Sequence, residues 1–559
     1  TAFVLQVDGL PNLLGDYFRL TEFDGEAAKS ARLKSTLGHD PDSKIRWRVK
    51  QSVFTSVPGS PLAYWASQAE LELFSNNRSV GDVSDVRAGM ATGNNDLFVR
   101  QWFEVSASRL KLDAESAAEV WADPNAKWVI FNKGGDSRRW YGHLDHVLAY
   151  DRSSYALLKK SGNRCPSEEY YFRECLTWSD VTTGQFAPRY MPAGSVLSTV
   201  GNSIYESKMS LGEICCALAS TTVSGMLALL NPTLHANPGD VARLPVPAAG
   251  DAQIFYEAVA IARRDWHSVE TAWGFARPDW IEIGADLDLR QITSQSDKSW
   301  EETVRRLAEL ETRNDERQRG AFGLGGSGQI TMTETERLDG VTLRRNYFRQ
   351  GRWASEEAAR ARALELVSYA VGCIFGRYSL DEPGLTLADQ GATLSDYLAK
   401  VPHPQFMPDA DNVIPIVDGD WFEDDIVTRF RQFLRVTFGE KHFEENLRAV
   451  TEALGVKDLR DYFVKSFYKD HVQRYKKRPI YWLFSSPKGS FNALIYMHRY
   501  TPSTVSTVLN EYLREFKAKL EATLGQQERL AAGGGTPRQQ AAAQKEADRI
   551  RKMLLELNE

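Results

Sequence analysis

Lys127-Trp-Val-Ile-Phe-Asn-Lys-Gly-Gly-Asp-Ser-Arg-Arg-Trp-Tyr-Gly142 changes character halfway along its length. Trp128 to Phe131 is an unbroken apolar run and reads as a short buried strand. Gly134-Gly135 turns the chain, and Arg138 and Arg139 then stand directly beside Trp140 and Tyr141. Cations interleaved with aromatics on a loop after a strand suit nucleic acid, because guanidinium forks grip phosphates or guanine edges and rings pack on sugars and bases. An ordinary hairpin with a solvated charged tip fits the same string.

The pattern around this stretch sets the fold class. From Val80 to about Pro247 short apolar runs alternate with Gly, Asn, Asp and Pro: Val83 to Arg87, Leu97 to Val105, Ala187 to Met191 and Ser195 to Val200. Short strands with frequent turn signals predict a mostly β domain. Leu211 to Leu230 interrupts it with a helical run, and Val241 to Pro247 closes it with a strand stopped by prolines. Ahead of this domain, residues 1 to about 60 are mixed, with a basic middle (Lys29, Arg32, Lys34, Lys44, Arg46, Arg48, Lys50) that reads as a solvated face. Ser60 and Pro61 predict the N-cap and first position of a helix running to about Phe74.

After the β region the chain turns helical. Ala252 to Asp265 carries an apolar stripe, and Trp300 to Arg319 carries Glu and Arg on an exposed face. Gly320-Ala-Phe-Gly-Leu-Gly-Gly-Ser-Gly328 reads as a linker; it lacks the Lys-Ser/Thr and the preceding strand of a phosphate loop. Ser355 to Phe375, Trp421 to Phe438 and His442 to Leu454 predict helices. A helix-rich stretch from Leu459 follows and ends in the basic run His471 to Pro479. Two strands flank the turn Ser485 to Ser490. Helices over about 503–530 and 538–557 predict a helical hairpin that packs on the body or on a partner. The fold class is therefore α+β multidomain. A mostly β domain (75–250) follows a tail or linker (1–74). Beyond it lie a helical spacer with a Gly-rich linker (251–330), a helix-rich C-terminal domain with a short hairpin (331–502) and a C-terminal helical hairpin (503–559).

Bulk properties narrow the function. A chain of 559 residues is too long for one core. A net charge of -6 and a pI near 6.0 do not advertise a nucleic-acid binder, so local clustering has to carry such a reading. The five cysteines (165, 175, 215, 216, 373) form no Cys-x-x-Cys pair and read as reduced thiols in a cytoplasmic protein, with no structural metal. No apolar run approaches the roughly 20 residues that span a bilayer. The chain opens on Thr1 rather than Met, and reads as processed, trimmed or a piece of something longer.

Catalytic chemistry is sparse. Neither His-Glu-x-x-His nor Gly-x-Ser-x-Gly occurs. The acidic cluster Trp421-Phe-Glu-Asp-Asp425 reads as a charged helix start rather than a metal site. A base-flipping methyltransferase needs a glycine-bearing cofactor turn and an aromatic-ended Asn/Asp-Pro-Pro tetrapeptide; Asn231-Pro-Thr-Leu234 does not qualify. Polar, aromatic-bearing loops of the β region supply the candidates instead. They are Asn94, Asn95 and Asp96 with Arg100; Lys133; Arg138, Arg139, Trp140 and Tyr141; Asn163 and Arg164; Arg189 and Tyr190; and Asn202 and Ser203. Asn amides can read adenine bidentately and Asp can accept from a cytosine amine. Gly-Asn-Asn-Asp also serves as plain turn chemistry. No catalytic residue and no metal ligand is assigned.

The loops resemble the PglX family, the adenine-specific DNA methyltransferases of BREX phage-defence systems. The resemblance rests on Gly89-Met-Ala-Thr-Gly-Asn-Asn-Asp96, Lys127 to Gly142, Thr177-Trp-Ser179, Ala187-Pro-Arg-Tyr190 and Asn231-Pro-Thr-Leu234. Gly59-Ser-Pro-Leu-Ala-Tyr-Trp65 fits too, as do Tyr369 to Ser379 and Arg478-Pro-Ile-Tyr-Trp-Leu-Phe-Ser-Ser-Pro-Lys-Gly489. The family carries an N-terminal domain that binds S-adenosylmethionine and holds the Asn-Pro-Pro-Tyr-type motif, and this chain starts after that domain would end. The resemblance therefore implies a TaqI-like recognition domain and a C-terminal domain, with the cofactor S-adenosylmethionine bound outside this chain. It implies double-stranded DNA, other BREX defence components and phage DNA-mimic inhibitors as partners, and no membrane. Two other readings stay open: a stand-alone specificity or scaffold subunit that recruits a separate methyltransferase or effector, and an assembly protein whose polar loops bind other proteins.

Overall fold

A computed structural model describes residues 14–39, 45–160, 163, 165–181, 185–231, 233, 235–247, 251–281, 288–324 and 332–558. About half the chain is helical and the strands are gathered into several small sheets, an α+β architecture. At the N-terminal end Leu14–Phe18 pairs antiparallel with Arg46–Lys50, and Asp16 sits within 3.0 Å of both Arg46 and Arg48. Part of the basic middle is thus neutralised across the ladder. The helix expected from Ser60 begins later. Ser60 lies in left-handed backbone (φ 47°), and Gln68–Asn76 is started by Ser67, whose Oγ accepts from Glu70 N while the Glu70 carboxylate accepts from Ser67 N. The reciprocal cap Ser67-x-x-Glu70 outcompetes the Ser-Pro signal because it satisfies two free N–H groups at once.

The β region holds two mixed sheets. One runs Ser84–Arg87, Ser203–Glu206, Cys175–Thr177, Arg189–Met191 and Trp140–Tyr141 from edge to edge. The other runs Ser195–Leu197, Trp128–Asn132, His146–Ala149 and Val99–Gln101. The apolar run Trp128 to Phe131 explains this second sheet. Val129 and Phe131 pack with Phe98 and Leu148 on one face, while Trp128 packs on the other with Val147, Ala149 and helical residues such as Val367 and Tyr369. A strand covered on both faces has no polar side to show, so its sequence is continuous rather than alternating.

Several predicted elements are shorter than their apolar runs. The run Leu211 to Leu230 is two helices, Leu211–Leu218 and Thr221–Leu230, bent by 74° where Ser220 caps the second through Val223 N. Val241 lies in a short helix, Pro238–Ala242, and only Pro245–Val246 is strand, paired with Arg78–Ser79. Asp425 caps Ile426–Phe438, with its Oδ1 accepting from Thr428 N at 2.8 Å.

Leu289–Ala321 is a 33-residue helix, roughly 50 Å long at 1.5 Å per residue. Its Leu289 end belongs to the C-terminal core with Phe433 and Leu454, and Val304, Leu307 and Leu310 belong to the β core with Trp140 and Trp266. It ties the two bodies together as a strut. They also share contacts directly: Trp102 Nε1 donates to Thr271 O at 2.7 Å, Ala107 N donates to Ala388 O at 2.9 Å, and Phe103 packs edge-on against Tyr475. The C-terminal body groups Ser355–Ile374, Ile426–Phe438 and Phe443–Leu454 with a three-stranded sheet ordered Ile414–Pro415, Asn492–Tyr496 and Tyr481–Ser485. The final hairpin, closed by Pro537–Asn558, packs on this body through Phe516, Leu520 and Ile550 against Phe422 and Phe491. Glu556 pins it, its carboxylate accepting from Ser486 Oγ, Lys488 N, Ser490 N and Ser490 Oγ.

All five cysteines are free, and Cys175, Cys215, Cys216 and Cys373 are buried with their thiol pKa values raised by desolvation. Among the described residues no single helix is long and apolar enough to cross a membrane, and no group of three or more His, Cys, Asp or Glu is arranged to hold a metal ion.

Candidate nucleic-acid interface

The Arg138–Tyr141 segment, the strongest candidate in the sequence, is a buried girder. Arg138 donates from Nε to Tyr141 O (2.7 Å), from Nη1 to Thr342 O (3.2 Å), and from Nη2 to Ala262 O (3.0 Å) and to Asp265 Oδ2 (2.7 Å). The Asp265 carboxylate, fully buried, also accepts from Arg344 N and Arg345 N. Arg139 reaches Glu311 (3.0 Å) and Gly340 O (3.1 Å). Trp140 is fully buried, with φ 72° and its Nε1 donating to Glu311 Oε1 at 2.9 Å, and Tyr141 packs edge-on against His267. Every one of these donors is spent on the protein itself. The expectation that this loop grips DNA is corrected: its partners, contributed by residues 262–345, cover it, and exposing Arg138 would strand the Asp265 charge.

Three further candidates are also interior. Arg189 is fully buried, donating to Arg138 O and Ser179 Oγ at 3.2 Å each, and burial with the neighbouring Arg138 charge pulls its pKa down to about 9. Ser203 begins a central strand of the first sheet and pairs with Arg87 and Thr177, and Asn202, just before it, is buried with its O accepting from Thr177 Oγ1. These three serve the sheet and do not face solvent. Tyr190 is half-buried and donates to Glu174 Oε2 at 2.8 Å. Arg164 lies outside the described residues.

The remaining candidates are accessible, and several are brought together. Asn94, Asn95 and Asp96 form an exposed tip. Asn94 Oδ1 accepts from Leu97 N (3.1 Å) and Thr92 Oγ1 donates to Asn95 Oδ1 (2.6 Å), so the tip is ordered by its own side chains. Asn163 braces it by donating to Thr92 O. Gly93 suits the left-handed backbone there (φ 70°), and a Cβ would displace the bracing Asn163 amide, whose Oδ1 lies 2.4 Å away. Arg100 folds back onto Asp96 O and Val99 O.

Before the tip, Met90 pairs with Ser198, and Ser198 N donates to Asn132 O, which places the chain beside one end of the second sheet. That end carries Lys133, His146 and Gln101, the last two 2.9 Å apart and in register. Lys133 is half-buried; desolvation lowers its pKa, and no hydrogen bond or ion pair engages its amine among the described residues. His146 is held neutral, down to about 4, by burial above all, with Lys133 and Lys476 acting in the same direction against Asp145. Lys476 meets this end from the C-terminal body: its amine is 2.7 Å from Asp145 Oδ2. Lys477 and Arg478 follow it on the surface, Arg478 at 3.7 Å from Glu104. The run His471 to Pro479 was visible in the sequence as basic, but nothing there joined it to a residue 331 positions earlier.

Chemically, this surface offers amides and cations, the means to hold a polyanion and to read base edges. No family model matches the chain. The chain is 32% identical over 580 aligned positions, covering 100% of it, to the adenine-specific methyltransferase PglX of Lacticaseibacillus casei (strain Zhang). It is 31% identical over 540 positions, covering 91% of it, to the adenine-specific methyltransferase BrxX of Escherichia coli O9:H4 (strain HS). These alignments take in 46% and 42% of the two relatives, so the chain spans less than half of their length.

Proposed function

We propose, for a chain homologous to the PglX-type adenine-specific methyltransferases and corresponding to a C-terminal part of such a protein, that it finds and holds the DNA target of the methyl transfer. In this reading the β region is the target-recognition unit of a site-specific adenine-N6 methyltransferase in a BREX-type phage-defence system. The half that binds S-adenosylmethionine lies outside this chain.

The observation that carries the reading is the exposed Asn94-Asn95-Asp96 tip, ordered by its own side chains and braced by Asn163. Asn94 Oδ1 and Asn95 Oδ1 are each held by a hydrogen bond within the tip, and a base reader needs its amides held in place before DNA arrives. In this reading the region's work is positioning, through amides and cations rather than through chemistry on the methyl group. Duplex DNA held by its backbone would present an adenine for flipping into an active site elsewhere.

Fluorescence anisotropy with a labelled duplex tests this. The expected result is binding that weakens steeply between 50 and 200 mM salt, as counterion release requires, with no methyl transfer by this chain alone. Asn94→Ala with Asn95→Ala should reduce discrimination between duplex sequences more than it reduces affinity. Absence of duplex binding at 50 mM salt overturns the proposal, and retention of S-adenosylmethionine by this chain overturns the placing of the cofactor half outside it.

A further inference from the structure

The turn after the helix Tyr468–Arg474 has a backbone its side chains do not favour. Lys476 and Lys477 both adopt left-handed φ, 52° and 63°, a region where glycine or asparagine is at ease and lysine is uncommon. The turn is held regardless. Lys476 N donates to Gln473 O (3.1 Å), Lys477 N to Val472 O (2.8 Å) and Arg478 N to Tyr475 O (2.8 Å), and Tyr475 itself is fully buried. Strain maintained by a rigid surround points to a use for the side chains that it displays. Here the result is three consecutive exposed cations.

Asp145 and Glu104 aim this turn. Lys476 is fastened to Asp145 of the β region, and Arg478 approaches Glu104. Asp145 directly precedes the strand His146–Ala149, whose Val147 faces Ile130 in the strand that ends at Asn132, so the Lys476 contact and Lys133 lie at the same end of the second sheet. Lys133 and Lys477 engage no carboxylate among the described residues. Four cations therefore face two acids, and the two unmatched charges belong one to each body of the chain.

We propose that Lys133, Lys477 and Arg478, with Lys476 aligned by Asp145, form a phosphate track for duplex DNA that the β region and the C-terminal body build jointly. The proposal rests on the DNA-recognition reading and adds that the C-terminal body is half of the binding surface. The track positions the backbone without reading bases, so it sets affinity for all sequences alike while the Asn94–Asp96 tip sets preference. Duplex rather than single-stranded DNA is inferred because Lys133, Lys476, Lys477 and Arg478 are all cations suited to backbone phosphates and none of them is an aromatic on which a base could stack.

The test is a salt titration of duplex binding by the 559-residue chain and by a variant carrying Lys133→Gln, Lys477→Gly and Arg478→Gln. Lys477→Gly relieves the left-handed backbone while removing the charge, and Lys476 stays to satisfy Asp145, so the variant should keep the wild-type Tm. The slope of log affinity against log salt should fall by about 0.9 for each cation removed, on matched and scrambled duplexes equally. If the wild-type chain binds duplex and the variant shows the same slope, the track is wrong while the recognition reading survives. If the wild-type chain binds no duplex, the recognition reading falls, and the track with it. If the wild-type chain holds polyglutamate as tightly as duplex at equal charge, the patch serves an acidic protein partner and the assignment to DNA is overturned.

Discussion

Arg138-Arg139-Trp140-Tyr141 and His471-Val-Gln-Arg-Tyr-Lys-Lys-Arg478 look alike on paper, each a cluster of cations with an aromatic inside. In the fold they are opposites. The first is buried, with Arg138 spent on Asp265 and three backbone carbonyls. The second ends in exposed lysines on a strained turn. What separates them is the location of their counter-charges. Asp265 lies 127 residues from Arg138 on a helix that folds over the loop, so the guanidinium becomes a cross-link between elements. Lys476 meets one carboxylate at its edge, and Lys477 meets none among the described residues. A cation's meaning is set by which acids the topology brings to it.

The comparison breaks most visibly at Arg138. Arg138→Ala should cost about 3–5 kcal/mol of stability, because it leaves Asp265 buried without its partner, and adding Asp265→Asn should recover part of that loss. Chemical denaturation with both single variants and the double variant measures the coupling. A variant that unfolds as wild type does but loses DNA affinity would return Arg138 to the binding surface. Next in size is Trp140→Phe, which removes the Nε1 donor from Glu311 in a covered site and should cost about 1–3 kcal/mol. Its duplex affinity, measured on folded protein, should not change.

The smallest effect is a pH dependence on the side of the exposed cluster. His146 falls from 6.5 to about 4 on folding, mainly because burial disfavours its charged form. The unfolded chain then binds the extra proton, so stability is full above pH 6.5 and declines as pH falls toward 4. His146→Gln keeps a hydrogen-bonding group for Gln101 and should move the midpoint of acid unfolding, followed by circular dichroism, to lower pH. His143 is pushed down to about 3 by burial and by Arg189, and His471 to about 3 by burial, so the whole acid transition is shared. An unchanged midpoint would mean that His146 is not buried as neutral imidazole.

Much of the local structure was legible where a short segment settles its own hydrogen bonds. The helices Ser355–Ile374 and Phe443–Leu454, the two strands around Ser485–Ser490 and the closing helical hairpin appear within a residue or two of their periodic runs. Misplacements came where a competing cap lay nearby, as at Ser67 against Ser60, or where a serine broke one apolar run into two helices, as at Ser220. The candidate surface divides in the same way. The Asn94–Asp96 turn is written in adjacent residues, while Arg189, Asn202 and Ser203 were read as loop residues and became interior once their strands found partners. The Lys476 turn could be noticed but not joined to Lys133, since that pairing is a contact between two bodies.

By itself, the sequence determined the fold class, the order of the elements, the polar tip and the likeness to the PglX family, because these rest on periodicity, caps and motif strings confined to a few neighbouring residues. Only the tertiary structure decided which cations are free. Burial and ion pairing depend on distant segments: the helix Ala252–His267 over Arg138, the strut Leu289–Ala321 against Arg139 and Trp140, and the C-terminal body beside Asp145. A charge reports its local chemistry in the sequence, and its field reaches a ligand only if the fold leaves it unmatched and in water.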